Sequence, residues 1–124
     1  EIRLSLVGSE MCIRDSDSTA SCDYPIYGKA VAEAIAAGKQ DLGILICGTG
    51  IGMSMVANKV EGVRAALCSD CFSAQATREH NNANVLCMGA RTIGPGLALM
   101  IVDKFVDTPF SNDERHVRRI KMFS

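Results

Sequence analysis

The sequence lacks the features of several large classes of protein. Its net charge is only −1, with no basic patch interleaved with aromatic residues, which argues against a nucleic-acid-binding surface. No apolar run approaches the roughly eighteen residues of a membrane span. The glycine-rich turn at residues 48–52 is not followed by Lys-Ser or Lys-Thr, which excludes the phosphate loop of nucleoside triphosphatases. The 124 residues therefore predict one domain without a nucleic-acid or membrane partner.

Six cysteines are present, but a disulfide framework is not needed to hold this chain together. The Ala-rich and Ile/Val-rich pattern can bury its own core, so we expect reduced thiols in a cytoplasmic protein. Cys68 and Cys71 form a lone CxxC, for which a zinc or redox role is conceivable. Because no second ligand pair lies at metal spacing, we expect Cys68 to end a strand, Cys71 to begin a helix and Cys87 to lie in the core. No metal or cofactor is expected.

Helical and strand periodicities alternate along the chain. Strands are expected at 42–47, 63–68 and 84–88, and helices after Pro25 as far as Gly38, at 53–59, at 73–80 and after Pro95. Such alternation predicts an α/β fold, a Rossmann-like doubly wound parallel sheet in a single domain, with its sites at the carboxyl ends of the strands.

The most informative segment is DLGILICGTGIG at residues 41–52. An apolar run without polar alternation suits a strand covered on both faces, and it delivers Cys47 onto a turn that should open a helix. Gly48, Gly50 and Gly52 allow positive φ angles and close backbone approach, so N–H groups can point at an anion. A thiol beside such groups suggests a base or a nucleophile. An imperfect dinucleotide-binding turn, with Asp70 as the acidic ribose ligand, and a tight turn around a buried structural cysteine remain alternatives.

We expect further polar residues to gather at the strand ends of the same sheet. His80 and Asn81 come after the helix that follows the second strand, and Arg91 follows the third strand. A lone histidine is usually a surface or satisfied residue, but its coupling to a Cys-Gly loop makes a functional role more attractive. If the tail is helical, Arg115 and Arg119 lie one turn apart and could clamp a phosphate; a solvated basic helix end is the alternative, and His116 stays unassigned.

Four segments in order carry a resemblance to a known family. They are Asp-Tyr-Pro at 23–25, ILICGTGIGMSMVANK at 44–59, REHNNANVL at 78–86 with GAR at 89–91, and RHVRR at 115–119. Over about residues 23–121 the chain resembles the ribose-5-phosphate isomerase type B family, which includes galactose-6-phosphate isomerase subunits. The resemblance implies a metal-free aldose–ketose isomerase that acts on an open-chain sugar phosphate, as a homodimer or homotetramer with shared active sites.

The same resemblance implies roles for individual residues. Cys47 matches the proton-abstracting base, His80 the acid that assists ring opening, and Thr49 belongs to the segment that holds the enediolate oxygens. The implied substrate-binding residues are Gly48, Gly50, Ile51, Gly52, Asn81, Arg91, Arg115 and Arg119. Hexose-6-phosphate isomerisation, a non-catalytic subunit of a heteromeric isomerase, and a sugar-phosphate-sensing or nucleotide-binding module remain alternatives to ribose 5-phosphate isomerisation.

The N-terminal segment departs from the family pattern. Relatives open with a strand that ends in a Cys-Asp-His-Gly type motif, which residues 1–16 do not contain. We expect residues 1–16 to be a non-native leader and residues 17–124 to form an N-terminally truncated isomerase domain that lacks the first βα unit. Residues 2–7 are nevertheless apolar enough to occupy a strand position.

Overall fold

The protein is described by a computed structural model that covers residues 4–7 and 23–124. Strands and helices alternate along it. The strands are β1 (Leu4–Val7), β2 (Leu42–Cys47), β3 (Ala65–Leu67) and β4 (Val85–Gly89). The helices are α1 (Tyr24–Ala36), α2 (Ile51–Ala57), α3 (Cys71–Asn81), α4 (Pro95–Asp107) and α5 (Glu114–Lys121). Each element predicted from the sequence is present, with ends shifted by a few residues.

The described strands form one parallel sheet in the order β1-β2-β4-β3. Leu4 lies opposite Leu42, and Val85 lies between Gly43 on one side and Ala65 on the other. The predicted doubly wound parallel sheet is thus confirmed, and Leu4–Val7 takes an edge position, as the apolar residues 2–7 allow. The expected absence of a helix after this strand, and the boundary between residues 16 and 17, fall outside the described residues.

Two apolar clusters cover the two faces of the sheet. On one face α1 and α2 pack against alternate strand residues such as Leu45 and Val85. On the other face α3 and α4 pack against the intervening residues, including Ile44 and Leu86. Strand β2 therefore has apolar neighbours on both faces, which explains its uninterrupted apolar sequence.

Strand β3 begins later than the predicted residue 63, because the Arg64 N–H bonds to a side chain. The Arg64 N–H donates to the Asn84 side-chain oxygen at 2.7 Å, and the Arg64 carbonyl accepts from the Asn84 N–H at 2.9 Å. The regular ladder consequently begins at Ala65. Among the described residues, no helix has both the length and the apolar composition needed to cross a membrane.

Candidate active site

Cys47 ends β2 at the carboxyl edge of the sheet, half-buried, where the chain turns into α2. The Gly50 N–H donates a hydrogen bond to the Cys47 Sγ at 3.1 Å. Gly50 has φ +81° and is the N-cap of α2, so the turn brings its N–H back toward the thiol three residues earlier. The sulfur of Cys47 therefore has a backbone N–H donor beside it at the edge of the sheet.

The loop at residues 48–50 is held by the neighbouring strand β4. The Ala90 N–H donates to the Cys47 carbonyl at 2.8 Å, and the Arg91 N–H donates to the Gly48 carbonyl at 3.0 Å. Gly89 lies so close that an added Cβ would stand 2.6 Å from the Thr49 carbonyl carbon. Only glycine therefore fits at the end of β4 while the loop keeps this position.

The predicted loop residues line this carboxyl edge. Thr49 is exposed, and its hydroxyl oxygen accepts from the Ile51 N–H at 3.3 Å. Arg91 lies against Gly48, with its Cδ 3.6 Å and its Nε 3.7 Å from where a Gly48 Cβ would be. The Arg91 guanidinium thus lies beside Gly48, the residue that follows Cys47. The structure brings together the predicted Cys47, the loop at 48–52 and Arg91.

His80 and Asn81 lie toward the opposite edge of the sheet, where the strands begin. Helix α3 starts after β3 at the carboxyl edge and ends before β4 begins, so its last residues lie toward the amino edge. Its 11 residues span about 16 Å. His80 is therefore separated from Cys47 within one chain. The expectation that these polar groups meet at one set of strand ends is wrong.

Arg115 and Arg119 lie on the same side of the molecule as His80. They lie exposed on α5, one helical turn apart, as predicted. The His116 ring of the same helix stacks on His80, with the centroids 4.5 Å apart and the planes 20° from parallel. We call His80, Asn81, Arg115 and Arg119 the amino-edge group, and Cys47 with the 48–52 loop and Arg91 the carboxyl-edge group.

His116 is the main residue that the sequence reasoning did not assign. It is only 7% exposed, and its pKa is lowered by burial first and then by the positive charges that His80, Arg115 and Arg119 can carry. The sequence does contain a pattern that indicates burial of His116. His116 and Ile120 lie one turn apart on a helix whose other residues are mostly charged. That spacing indicates which side of α5 faces the protein.

Tyr24 is a second residue that was not singled out as a site residue. Its hydroxyl lies over Gly52, where an added Cβ would be 2.2 Å from the Tyr24 oxygen. A side chain at position 52 would therefore require the Tyr24 ring to move away. Tyr24 is still 38% exposed, so a phenolic hydroxyl borders the carboxyl-edge group.

The remaining described cysteines differ from Cys47 in their surroundings. Burial, followed by the Asp70 charge, raises the pKa of Cys68 to about 11, and burial raises the pKa of Cys87 to about 12. Cys71 begins α3, and all four described cysteines are free. Within residues 4–7 and 23–124, no three His, Cys, Asp or Glu side chains converge as metal ligands, around Cys68 and Cys71 or elsewhere.

Comparison with known proteins places this geometry in a family. The family profile described as Ribose/Galactose Isomerase matches residues 4–123. Ribose-5-phosphate isomerase B of Escherichia coli is 46% identical over 114 residues, covering 92% of this chain and 76% of that protein. D-erythrulose-4-phosphate isomerase of Pectobacterium atrosepticum is 54% identical over 87 residues, covering 70% of this chain and 57% of that protein.

A third relative and a solved structure agree. The galactose-6-phosphate isomerase subunit LacB of Clostridium acetobutylicum is 46% identical over 98 residues, covering 79% of this chain and 57% of that protein. The crystal structure of ribose 5-phosphate isomerase of Thermotoga maritima superposes with a TM-score of 0.89 at 37% identity, covering 99% of this chain and 97% of that one. The chain therefore belongs to the ribose/galactose isomerase family of sugar-phosphate isomerases.

Proposed function

We propose that the protein interconverts ribose 5-phosphate and ribulose 5-phosphate through an enediolate, with Cys47 as the base. The observation that carries the proposal is the 3.1 Å hydrogen bond from the Gly50 N–H to the Cys47 Sγ at the carboxyl end of a central strand. A thiolate held there can take the C2 proton of the open-chain aldose and return it to C1, while a proton moves from O2 to O1. No net oxidation or reduction occurs.

The loop next to the thiol can stabilise the intermediate. Negative charge develops on O1 and O2 of the substrate as the C2 proton leaves. Thr49 and the backbone of residues 48–52 lie beside Cys47, and one oriented oxyanion donor is typically worth ~2.7–4 kcal/mol of transition-state stabilisation. We assign Thr49 and the loop residues Gly48, Gly50, Ile51 and Gly52 to holding the enediolate.

The amino-edge group supplies the remaining roles in this proposal. His80 would donate the proton that opens the sugar ring, Asn81 would contact the sugar, and Arg115 and Arg119 would bind the phosphate. Arg91, from the carboxyl-edge group, would be a further substrate ligand. Because the two groups lie toward opposite edges of the sheet, a complete site requires a second copy of the chain. We therefore propose a cytoplasmic homodimer, or a homotetramer made of two such dimers, with shared sites.

The substrate test compares kcat/KM for ribose 5-phosphate with the values for galactose 6-phosphate and D-erythrulose 4-phosphate. We expect ribose 5-phosphate to be preferred by at least about tenfold, or about 1.4 kcal/mol of transition-state binding. A preference for the hexose phosphate would instead establish the hexose-isomerase alternative. Turnover of none of the three, with saturable binding retained, would favour a non-catalytic subunit or a sensor.

The shared-site test mixes two inactive variants, Cys47→Ser and His80→Asn. In a symmetric dimer, random exchange makes half of the dimers mixed, each with one intact site, so activity should recover to roughly a quarter of wild type. The control is each variant exchanged with itself, which should stay inactive. No recovery after demonstrated subunit exchange would contradict the shared site.

A further inference from the structure

The His80–His116 ring pair is the feature that the proposed reaction leaves unexplained. His80 is exposed and its ring lies nearly parallel to that of the buried His116, with the centroids 4.5 Å apart. An exposed imidazole at the end of a helix would otherwise sample several rotamers. A stacked neighbour restricts that freedom, because the two rings gain contact only in one orientation.

The position of His116 is fixed independently of the stacking. Immediately before α5, the Ser111 N–H and hydroxyl both donate to the Glu79 carbonyl, at 3.2 and 2.8 Å. The Arg78 Nε donates to the Thr108 carbonyl at 3.1 Å. These bonds attach the approach to α5 to the last turn of α3, the turn that carries His80. The buried ring is thus presented from an anchored element.

The charges around His116 favour its neutral form. Three groups that can be positive face it, namely His80 from α3 and Arg115 and Arg119 from its own helix, while Asp113 alone opposes them. A neutral ring can lie against His80 when His80 is protonated, whereas a second positive charge at this distance would be repelled. A neutral His116 ring therefore suits the role proposed for His80, which must carry a proton to open the sugar ring.

We infer that His116 is a positioning residue that holds the His80 ring in the orientation needed to open the sugar ring. This inference rests on the proposed function, since it assigns His116 a part in the step given to His80. It concerns the ring-opening step alone. Ribulose 5-phosphate has no furanose form, because its O5 is esterified, so proton exchange at its C1 needs no ring opening.

The test compares His116→Leu, which removes the ring, with His116→Phe, which keeps a flat ring for stacking. For ribose 5-phosphate, we expect His116→Leu to lower kcat by about two- to tenfold, the range of a lost aromatic pair, and His116→Phe to restore most of it. For ribulose 5-phosphate in deuterium oxide, we expect C1 exchange to continue at the wild-type rate in both variants. The His80 ring-proton resonances should shift in His116→Leu because the neighbouring ring current is lost.

Several outcomes would overturn the inference. One is an equal loss in turnover and in exchange. Another is a rise in KM for both sugars, which would mean that α5 and its arginines had moved. A third is an unchanged kcat in His116→Leu. Failure of the proposed function is distinguishable, because it would appear as absence of turnover and exchange by the wild-type protein, whereas the resonances of His80 report the stacking without any turnover.

Discussion

Gly50→Ala is the substitution that most directly probes how the fold builds the Cys47 loop. Gly50 has φ +81°, a backbone conformation that costs a residue with a side chain ~1–2 kcal/mol. An added Cβ would also stand 2.8 Å from the Met88 carbonyl carbon and 2.5 Å from the Leu67 Cδ1. Leu67 can turn away, but Met88 is backbone within β4 and cannot move without disturbing the sheet. Overpacking of this kind costs a further ~1–3 kcal/mol.

The expected loss in the free energy of unfolding is therefore about 2–5 kcal/mol for Gly50→Ala. Gly62→Ala is the matched control, because Gly62 has a similar φ of +88° with no heavy atom within 4 Å of an added Cβ. That variant should lose only the backbone part, ~1–2 kcal/mol. Urea unfolding followed by circular dichroism measures both, and the difference between them isolates the contact with β4.

The same pair of variants separates stability from activity. Moving Gly50 displaces the N–H that donates to the Cys47 Sγ, so kcat/KM should fall in Gly50→Ala and stay at the wild-type value in Gly62→Ala. Equal losses of unfolding free energy in the two variants would refute the packing reasoning. Wild-type kcat/KM in a folded Gly50→Ala would refute the role given to the hydrogen bond.

Three further predictions concern thiols, pH and charge. Iodoacetamide at pH 8 should label Cys47 well before Cys68 and Cys87, whose pKa values are raised to about 11 and about 12 by burial; equal labelling by mass spectrometry would contradict this. The pKa of His116 is lowered from its usual 6.5 by burial, so the folded state binds fewer protons than the unfolded state and unfolding free energy should fall as pH drops through this region. His116→Phe should flatten that slope in urea titrations at pH 5 to 8, and an unchanged slope would assign it to other groups. Arg119→Gln should raise KM for ribose 5-phosphate at least several-fold with little change in kcat, whereas an unchanged KM would place the phosphate elsewhere.

The local parts of the site could be predicted from the sequence. The apolar run into a glycine-spaced turn places Cys47 at the end of a buried strand because both signals lie within twelve residues, 41–52. The contact of Arg91 with Gly48 depends on β4 lying beside β2, which no local pattern specifies. The resemblance to the family predicted both residues as site members without predicting that pairing.

The amino-edge group shows where reasoning from single segments fails. His80 follows the helix after a strand, and a helix that connects two parallel strands must return to the amino edge before the next strand begins. Grouping His80 with Cys47 at one set of strand ends overlooked this direction. The stacking of His116 on His80 joins helices separated by more than thirty positions, and only the packing of α5 on α3 reveals it.

Proton transfer by Cys47 is tested most directly by proton NMR of ribose 5-phosphate in deuterium oxide. The wild-type protein is compared with Cys47→Ser and with Cys71→Ser, a matched control at another half-buried cysteine. We predict that wild type and Cys71→Ser form the ketose and incorporate deuterium, and that Cys47→Ser does neither. Deuterium incorporation by Cys47→Ser at the wild-type rate would contradict the assignment of Cys47 as the base.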